Sequence, residues 1–217
     1  IALVNPNVSV STTEVMVRTA ADEIGDDGTV EGVTAPRGAA LITTPAAMKE
    51  AAQTVVLLGP TLVWADAVVI AAFGDPGLTQ LRNQLPMPVT GIGEAGMAEA
   101  GLEGRRFAVV TTTPDLRAQI AAAAARYGHR EFAGVWITQG DPVKLTADPQ
   151  ALQAALRAAM KAAVIEGGAQ AVLIGGGPLV RAARALASDA PVPVIEPVPA
   201  AIPFSFARVS DRGRLRA

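Results

Sequence analysis

Short apolar runs, rich in Val, Ile and Leu, alternate along this chain with longer Ala-rich stretches. Runs of strand length between turn residues, separated by stretches long enough for helices, predict an α/β protein built on parallel strands. The pattern places strands at Ala2–Val4, Thr29–Val33, Ala67–Ala71, Val89–Ile92, Phe107–Thr111, Phe132–Ile137, Ala171–Ile174 and Val192–Ile195. It places helices at Ser11–Ile24, Pro45–Val63, Pro76–Leu85, Glu94–Leu102, Pro114–Tyr127, Pro149–Gly167, Pro178–Ala187 and Pro197–Ala207. Many of these helices open with proline, whose missing N–H leaves no bond unmade at a first helical position.

The order of elements repeats. Ala2-Leu-Val-Asn-Pro-Asn7 matches Ala108-Val-Val-Thr-Thr-Thr113 at an offset of 106, and Gly32-Val33 matches Gly134-Val135 at 102. Ala67 matches Ala171 at 104, and Pro88-Val89 matches Pro193-Val194 at 105. Their shared order predicts an internal duplication, two similar parallel-sheet α/β lobes with a cleft between them. Lobe one is expected to take residues 1–92 and the C-terminal segment 193–217, and lobe two residues 93–192. Ligands of open parallel sheets bind beyond the carboxyl ends of the strands, so the strand-end loops are the candidate chemistry.

Composition narrows the classes. Half of the 217 residues are hydrophobic, which predicts a compact folded chain rather than a disordered one. Lys and Arg number 18 against 20 Asp and Glu, leaving no basic field for nucleic acid. No run reaches the roughly 18 apolar residues of a membrane span. Ile1-Ala-Leu-Val4 leads straight into a turn without a charged n-region, so a cytoplasmic location is expected. The chain has no cysteine and one histidine, so disulfides and Cys-based metal sites are excluded and no metal is expected.

Four loops stand out. Asn5-Pro6-Asn7 follows the first strand, where Asn5 and Asn7 are suited to orient an anionic or amide ligand. Ser11 and Glu14 behind them have capping-box spacing. In the second half, Thr111-Thr-Thr-Pro-Asp115 offers hydroxyls and free N–H groups ahead of a helix. Thr112 is its ligand candidate, with Thr113 or Asp115 as the cap, and Thr43 is a further candidate substrate contact. Phe73-Gly-Asp-Pro-Gly77 and Gly175-Gly-Gly-Pro178 end two apolar strands in glycine turns. There the backbone can approach a ligand closely, and the N–H groups of Phe73, Gly74, Gly175 and Gly177 can hold a carboxylate or enolate oxygen. Neither turn has the spacing of a dinucleotide or P-loop fingerprint. Asp75, Glu94 and Glu196 are candidate general acids or bases, with helix-start charges as the structural alternative. His129 is expected to close a helix. Arg212, Arg214 and Arg216 lie in a tail without interleaved aromatic residues, expected to be a frayed terminus rather than a nucleic-acid arm.

Six segments together resemble the aspartate/glutamate racemase superfamily, most closely its hydantoin and allantoin racemase branch. They are Asn5-Pro6-Asn7, Thr34-Ala-Pro-Arg-Gly38, Phe73-Gly-Asp-Pro-Gly-Leu78, Gly91-Ile-Gly-Glu-Ala95, Thr111–Pro114 and Ile174–Leu179. The resemblance implies cofactor-independent proton transfer on a small molecule by a homo-oligomer, with one cysteine removing the α-proton and a second supplying a proton to the opposite face. Here the sequence departs from the family. The first cysteine position is Ala72 and the second is Gly176, so two-thiol racemisation at these positions is chemically excluded. The expectation is an isomerase-class protein acting on an amino acid, hydantoin or other small carboxylate or cyclic amide through other groups. The alternatives are a related lyase, a non-catalytic binding or regulatory homologue, or a structural subunit.

Overall fold

The computed structural model describes the backbone of residues 1–216 and the side chains of 1–177 and 179–210. The chain forms two compact α/β units. One comprises Ile1–Ile42, Ala46–Ala95 and the C-terminal segment from Val198; the other comprises Thr43–Pro45 and Gly96–Pro197.

In the first unit, strands β1 (Ala2–Asn5), β2 (Glu31–Thr34), β3 (Val68–Ile70) and β4 (Val89–Gly91) form an all-parallel sheet of order β2-β1-β3-β4. In the second, β5 (Phe107–Thr111), β6 (Phe132–Ile137), β7 (Ala171–Ile174) and β8 (Val194–Ile195) form a parallel sheet of order β6-β5-β7-β8. The two orders are the same list shifted by four strands. The register repeats as well: Ala2 pairs with Val68 as Ala108 pairs with Val172, and Val68 pairs with Val89 as Val172 pairs with Val194. One sequence match moves by a residue. Thr34 opposes Asn5 as Ile137 opposes Thr111, an offset of 103 rather than 102, because the β5–β6 register shifts between Phe107 and Val109.

The helices are α1 (Val10–Ile24), α2 (Pro45–Leu58), α3 (Leu78–Gln84), α4 (Ile92–Ala100), α5 (Arg117–Arg126), α6 (Pro142–Ala147), α7 (Pro149–Ile165), α8 (Val180–Ala187) and α9 (Pro197–Arg216). The strands β1, β3, β5 and β7 are buried along their length, which is why they read as unbroken apolar runs. On α7, Leu152, Leu156, Ala159, Met160 and Ala163 form one buried stripe. They pack with Ala108, Val110, Val172 and Ile174 of the sheet in the core of the second unit.

Several boundaries differ from the sequence reading for identifiable reasons. The expected helix from Pro45 ends at Leu58, where Gly59-Pro60 tightens the chain into a 3₁₀ turn. The helix expected from Pro76 starts at Leu78, because Gly74, Asp75 and Gly77 all take positive φ. Helix α6 was not anticipated; it is short, and Asp141 caps it by accepting from the Lys144 N–H at 2.9 Å. Helix α1 is capped by Ser9, which accepts from the Thr12 N–H at 3.3 Å, and not by a box from Ser11 to Glu14. Helix α9 runs on through the expected frayed tail to Arg216. The side chains of Arg212, Arg214 and Arg216 lie outside the described residues.

Candidate functional site

The ends of β1 and β5 carry related polar pairs. In the first unit the Asn5 side-chain amide donates to Asn7 Oδ1 (2.9 Å), to Thr13 Oγ1 (2.9 Å) and to the Ser9 carbonyl (3.1 Å). Its Oδ1 accepts from the Asn7 backbone N–H. Asn5 is fully buried and committed to shaping the loop. Asn7 Oδ1 also accepts from the Ser9 N–H (2.9 Å), while its Nδ2 meets no acceptor among the described residues. In the second unit the Thr111 and Thr113 hydroxyls lie 3.1 Å apart, at the places equivalent to Asn5 and Asn7. Thr113 therefore pairs with Thr111 and does not cap the following turn. Thr112 between them is buried, and its hydroxyl has no partner among the described residues. Thr43 lies half-buried ahead of α2.

The two glycine turns also match bond for bond. The Ala71 N–H reaches the Val4 carbonyl at 2.8 Å, as the Gly175 N–H reaches Val110. The Asp75 N–H closes on the Ala72 carbonyl at 3.1 Å, as the Leu179 N–H closes on Gly176 at 3.0 Å. Between these bonds, the N–H groups of Ala72, Phe73 and Gly74 in one turn, and of Gly176 and Gly177 in the other, find no acceptor among the described residues. Such a run of backbone donors, on partly to fully buried residues, could receive an anionic or carbonyl oxygen. Gly175, by contrast, spends its N–H on the sheet.

Ala72 is 8% exposed, and Gly176 has φ 150°. These are the positions where the family resemblance puts its two cysteines. Neither side chain can carry a proton.

The three carboxylates have different surroundings. Asp75 is buried; its Oδ1 accepts from the Gly93 N–H and its Oδ2 from the Glu94 N–H, each at 2.8 Å, so it caps α4 from another part of the chain. Glu94 meets Arg82 at 2.6 Å and Arg208 at 3.0 Å. Burial alone would raise its carboxyl pKa, but hydrogen bonds and charge from Arg82 and Arg208 outweigh that and hold it below the ordinary value. Glu196 is mostly buried and pairs with the more exposed Arg184 at 3.2 Å. His129 follows α5, its ring edge-on to Phe107 with centroids 5.2 Å apart. Burial lowers its pKa.

Sequence reasoning read Ser9 as part of the ligand-orienting loop and not as the cap of α1, and it missed Arg82 and Arg208. Ser9 had a local signal, its spacing to Thr12; the two arginines had none. Among the described residues no group of three His, Asp or Glu side chains could hold a metal ion, and no helix is long and apolar enough to cross a membrane.

Residues 1–204 match the Asp/Glu/Hydantoin racemase family. The chain is 32% identical over 212 residues to a hydantoin racemase of Paenarthrobacter aurescens, covering 93% of this chain and 87% of that protein. Its structure resembles allantoin racemase from Klebsiella pneumoniae (TM-score 0.86, 30% identity, 97% of this chain and 87% of that one). It also resembles allantoin racemase from Pseudomonas fluorescens (TM-score 0.90, 25% identity, 97% and 91%). Arylmalonate decarboxylase, at 17% identity and a TM-score of 0.65, shares the fold. The chain belongs to the Asp/Glu/Hydantoin racemase family, an isomerase-class enzyme family of small-molecule substrates. Within it, the hydantoin and allantoin racemase matches place it in that branch.

Proposed function

We propose that the protein is a cofactor-independent isomerase-family protein that recognises a hydantoin, an amino acid or another small carboxylate or cyclic amide, and that it does not use two-thiol proton transfer. The observation that carries this reading is the pairing of retained donors with lost proton carriers. Unpaired N–H groups at Ala72–Gly74 and at Gly176–Gly177 support oxyanion recognition, and the Asn7 amide and Thr112 hydroxyl support orientation of the ligand. A methyl group at Ala72 and a hydrogen at Gly176 provide no acid or base.

The structural duties of Asp75 and Glu94 weigh against either moving protons in turnover. Glu196 is the remaining named carboxylate. It too has a partner, Arg184, but that arginine is itself exposed, and Glu196 caps no helix amide among the bonds described. An isomerase or lyase reaction is therefore assigned to it as the single base, and a binding homologue without turnover is the second reading, favoured by the commitments of Asp75 and Glu94. The measurement is solvent-deuterium exchange at the α-carbon of allantoin, 5-substituted hydantoins and free amino acids, run beside thermal-shift titration with the same compounds. Exchange lost in Glu196→Gln supports the catalytic reading. Stabilisation without exchange supports the binding reading; a ligand at about 100 times its Kd adds roughly 2.7 kcal/mol. Absence of both effects across the panel overturns the proposal.

A further inference from the structure

Asp75 carries strain that its bonds explain. It is a non-glycine residue at φ 53°, a left-handed conformation that L-residues seldom adopt. It sits between Gly74 at φ 106° and Gly77 at φ 74°. Its carboxylate spans from this turn to the first turn of α4, bonding the N–H groups of Gly93 and Glu94 at 2.8 Å each. The receiving segment is shaped around it: a Cβ at Gly91 would run into the Asp75 carboxylate, and one at Gly93 would lie 2.9 Å from Oδ2. The Gly-Asp-Pro-Gly turn and the Gly-Ile-Gly-Glu segment thus form one device, a carboxylate and the space that admits it.

We propose that Asp75 is a positioning residue that locks the Ala72–Gly74 backbone so that its unpaired N–H groups converge on one oxygen. The inference rests on reading those N–H groups as the ligand-recognition element. The lock also closes the N-terminus of α4 to any outside anion, because an internal carboxylate already occupies its amides. An incoming oxygen is left with the turn. The second unit holds its equivalent turn differently. There the residue in the place of Asp75 is Leu179, which is 2% exposed and belongs to the apolar core. The ionic lock therefore belongs to the first unit's turn and is not a general requirement of the duplicated fold.

The test needs no knowledge of the ligand. Ala72→Cys introduces a thiol beside the N–H groups of Phe73 and Gly74, and its thiolate can be titrated by ultraviolet absorbance. Converged N–H donors lower a thiol's pKa from its free value of about 8.5. Adding Asp75→Ala removes a neighbouring negative charge, which by itself lowers the thiol pKa further. A rise of about one unit therefore reports lost donor positioning. Asp75→Asn, which keeps one acceptor, is expected to fall between. Gly91→Ala displaces the carboxylate without removing its charge and is expected to raise the thiol pKa as well. Exchange of the Gly93 and Glu94 amides, measured in whichever variants stay folded, is expected to quicken by about tenfold while β5 remains protected. An unchanged or lowered thiol pKa in both Asp75→Ala and Gly91→Ala overturns the proposal. Failure of allantoin and hydantoins to bind the wild-type protein, with the thiol shift present, counts against the proposed function and leaves the lock standing.

Discussion

Leu179 stands where a side chain at Gly176 would have to go. A Cβ built there would lie 3.1 Å from both Cγ and Cδ1 of Leu179, on a backbone whose φ of 150° L-residues seldom adopt. The two positions where the family resemblance places cysteines are therefore unequal. Ala72 already has a side chain, and Ala72→Cys is expected to change stability by less than about 1 kcal/mol. Gly176→Cys is expected to destabilise by about 1–3 kcal/mol, combining backbone strain with overpacking against Leu179. Denaturant unfolding of the two single variants checks the order. The double variant is expected to gain no two-thiol racemisation over wild type, because its second thiol is displaced. Racemisation of hydantoins by a double variant as stable as wild type would sink this argument.

Glu94 binds α9 to the first sheet through charge. Arg208 reaches both Glu94 oxygens and the Val89 carbonyl, and it lies 4.6 Å over the Phe204 ring, while Arg82 holds Glu94 from α3. Glu94→Gln is expected to cost about 1–2 kcal/mol at neutral pH, the lower part of the range for hydrogen bonds to charged groups because both arginines are partly exposed. The pH dependence follows from the lowered pKa. The stabilisation is present above the carboxyl's unfolded value near 4.5 and is lost as pH falls through the still lower folded value. Thermal unfolding of wild type and Glu94→Gln should therefore differ at pH 7 and converge toward pH 3. A gap that persists at the lowest pH would assign the effect to packing.

The strands were legible because each buried strand reads as a short run of Val, Ile, Leu or Ala between turn residues, as Phe107–Thr111 and Ala171–Ile174 do. The duplication was legible for the same reason, down to the equivalence of Ala72 and Gly176. What the sequence hid was the business of particular side chains. Asp75 and the Gly93 N–H are 18 residues apart, and Arg208 and Glu94 are 114 apart. No local pattern signals that a candidate acid or base has been recruited to hold a helix. Helix α6 escaped because six residues are too few to display a helical period.

The start of α1 offers a direct comparison. The spacing Ser11 to Glu14 suggests a capping box, yet Ser9 makes the cap, its hydroxyl accepting from the Thr12 N–H and lying 2.8 Å from Thr12 Oγ1. Ser9→Ala is expected to cost about 1 kcal/mol, and Ser11→Ala to stay within about 0.5 kcal/mol of wild type. Paired urea unfolding curves decide between the two serines; equal losses would return the cap to Ser11.

His129 provides an opposite pH signature. Its position just past the end of α5 would favour the protonated ring through the helix dipole, but burial against Phe107 prevails and lowers its pKa. The folded protein thus binds this proton less readily than the unfolded chain does. Its contribution is full above the unfolded histidine value of about 6.5 and declines as pH falls through the lower folded value. His129→Gln removes that slope, and it also removes the ring-edge contact, a loss of about 0.5–1.5 kcal/mol that is independent of pH. Stability measured between pH 7.5 and 5 should therefore decline more for wild type than for the variant, so that the two curves approach each other on acidification. Parallel curves over that interval would show that His129 titrates alike in both states, and the burial account of its pKa would fail.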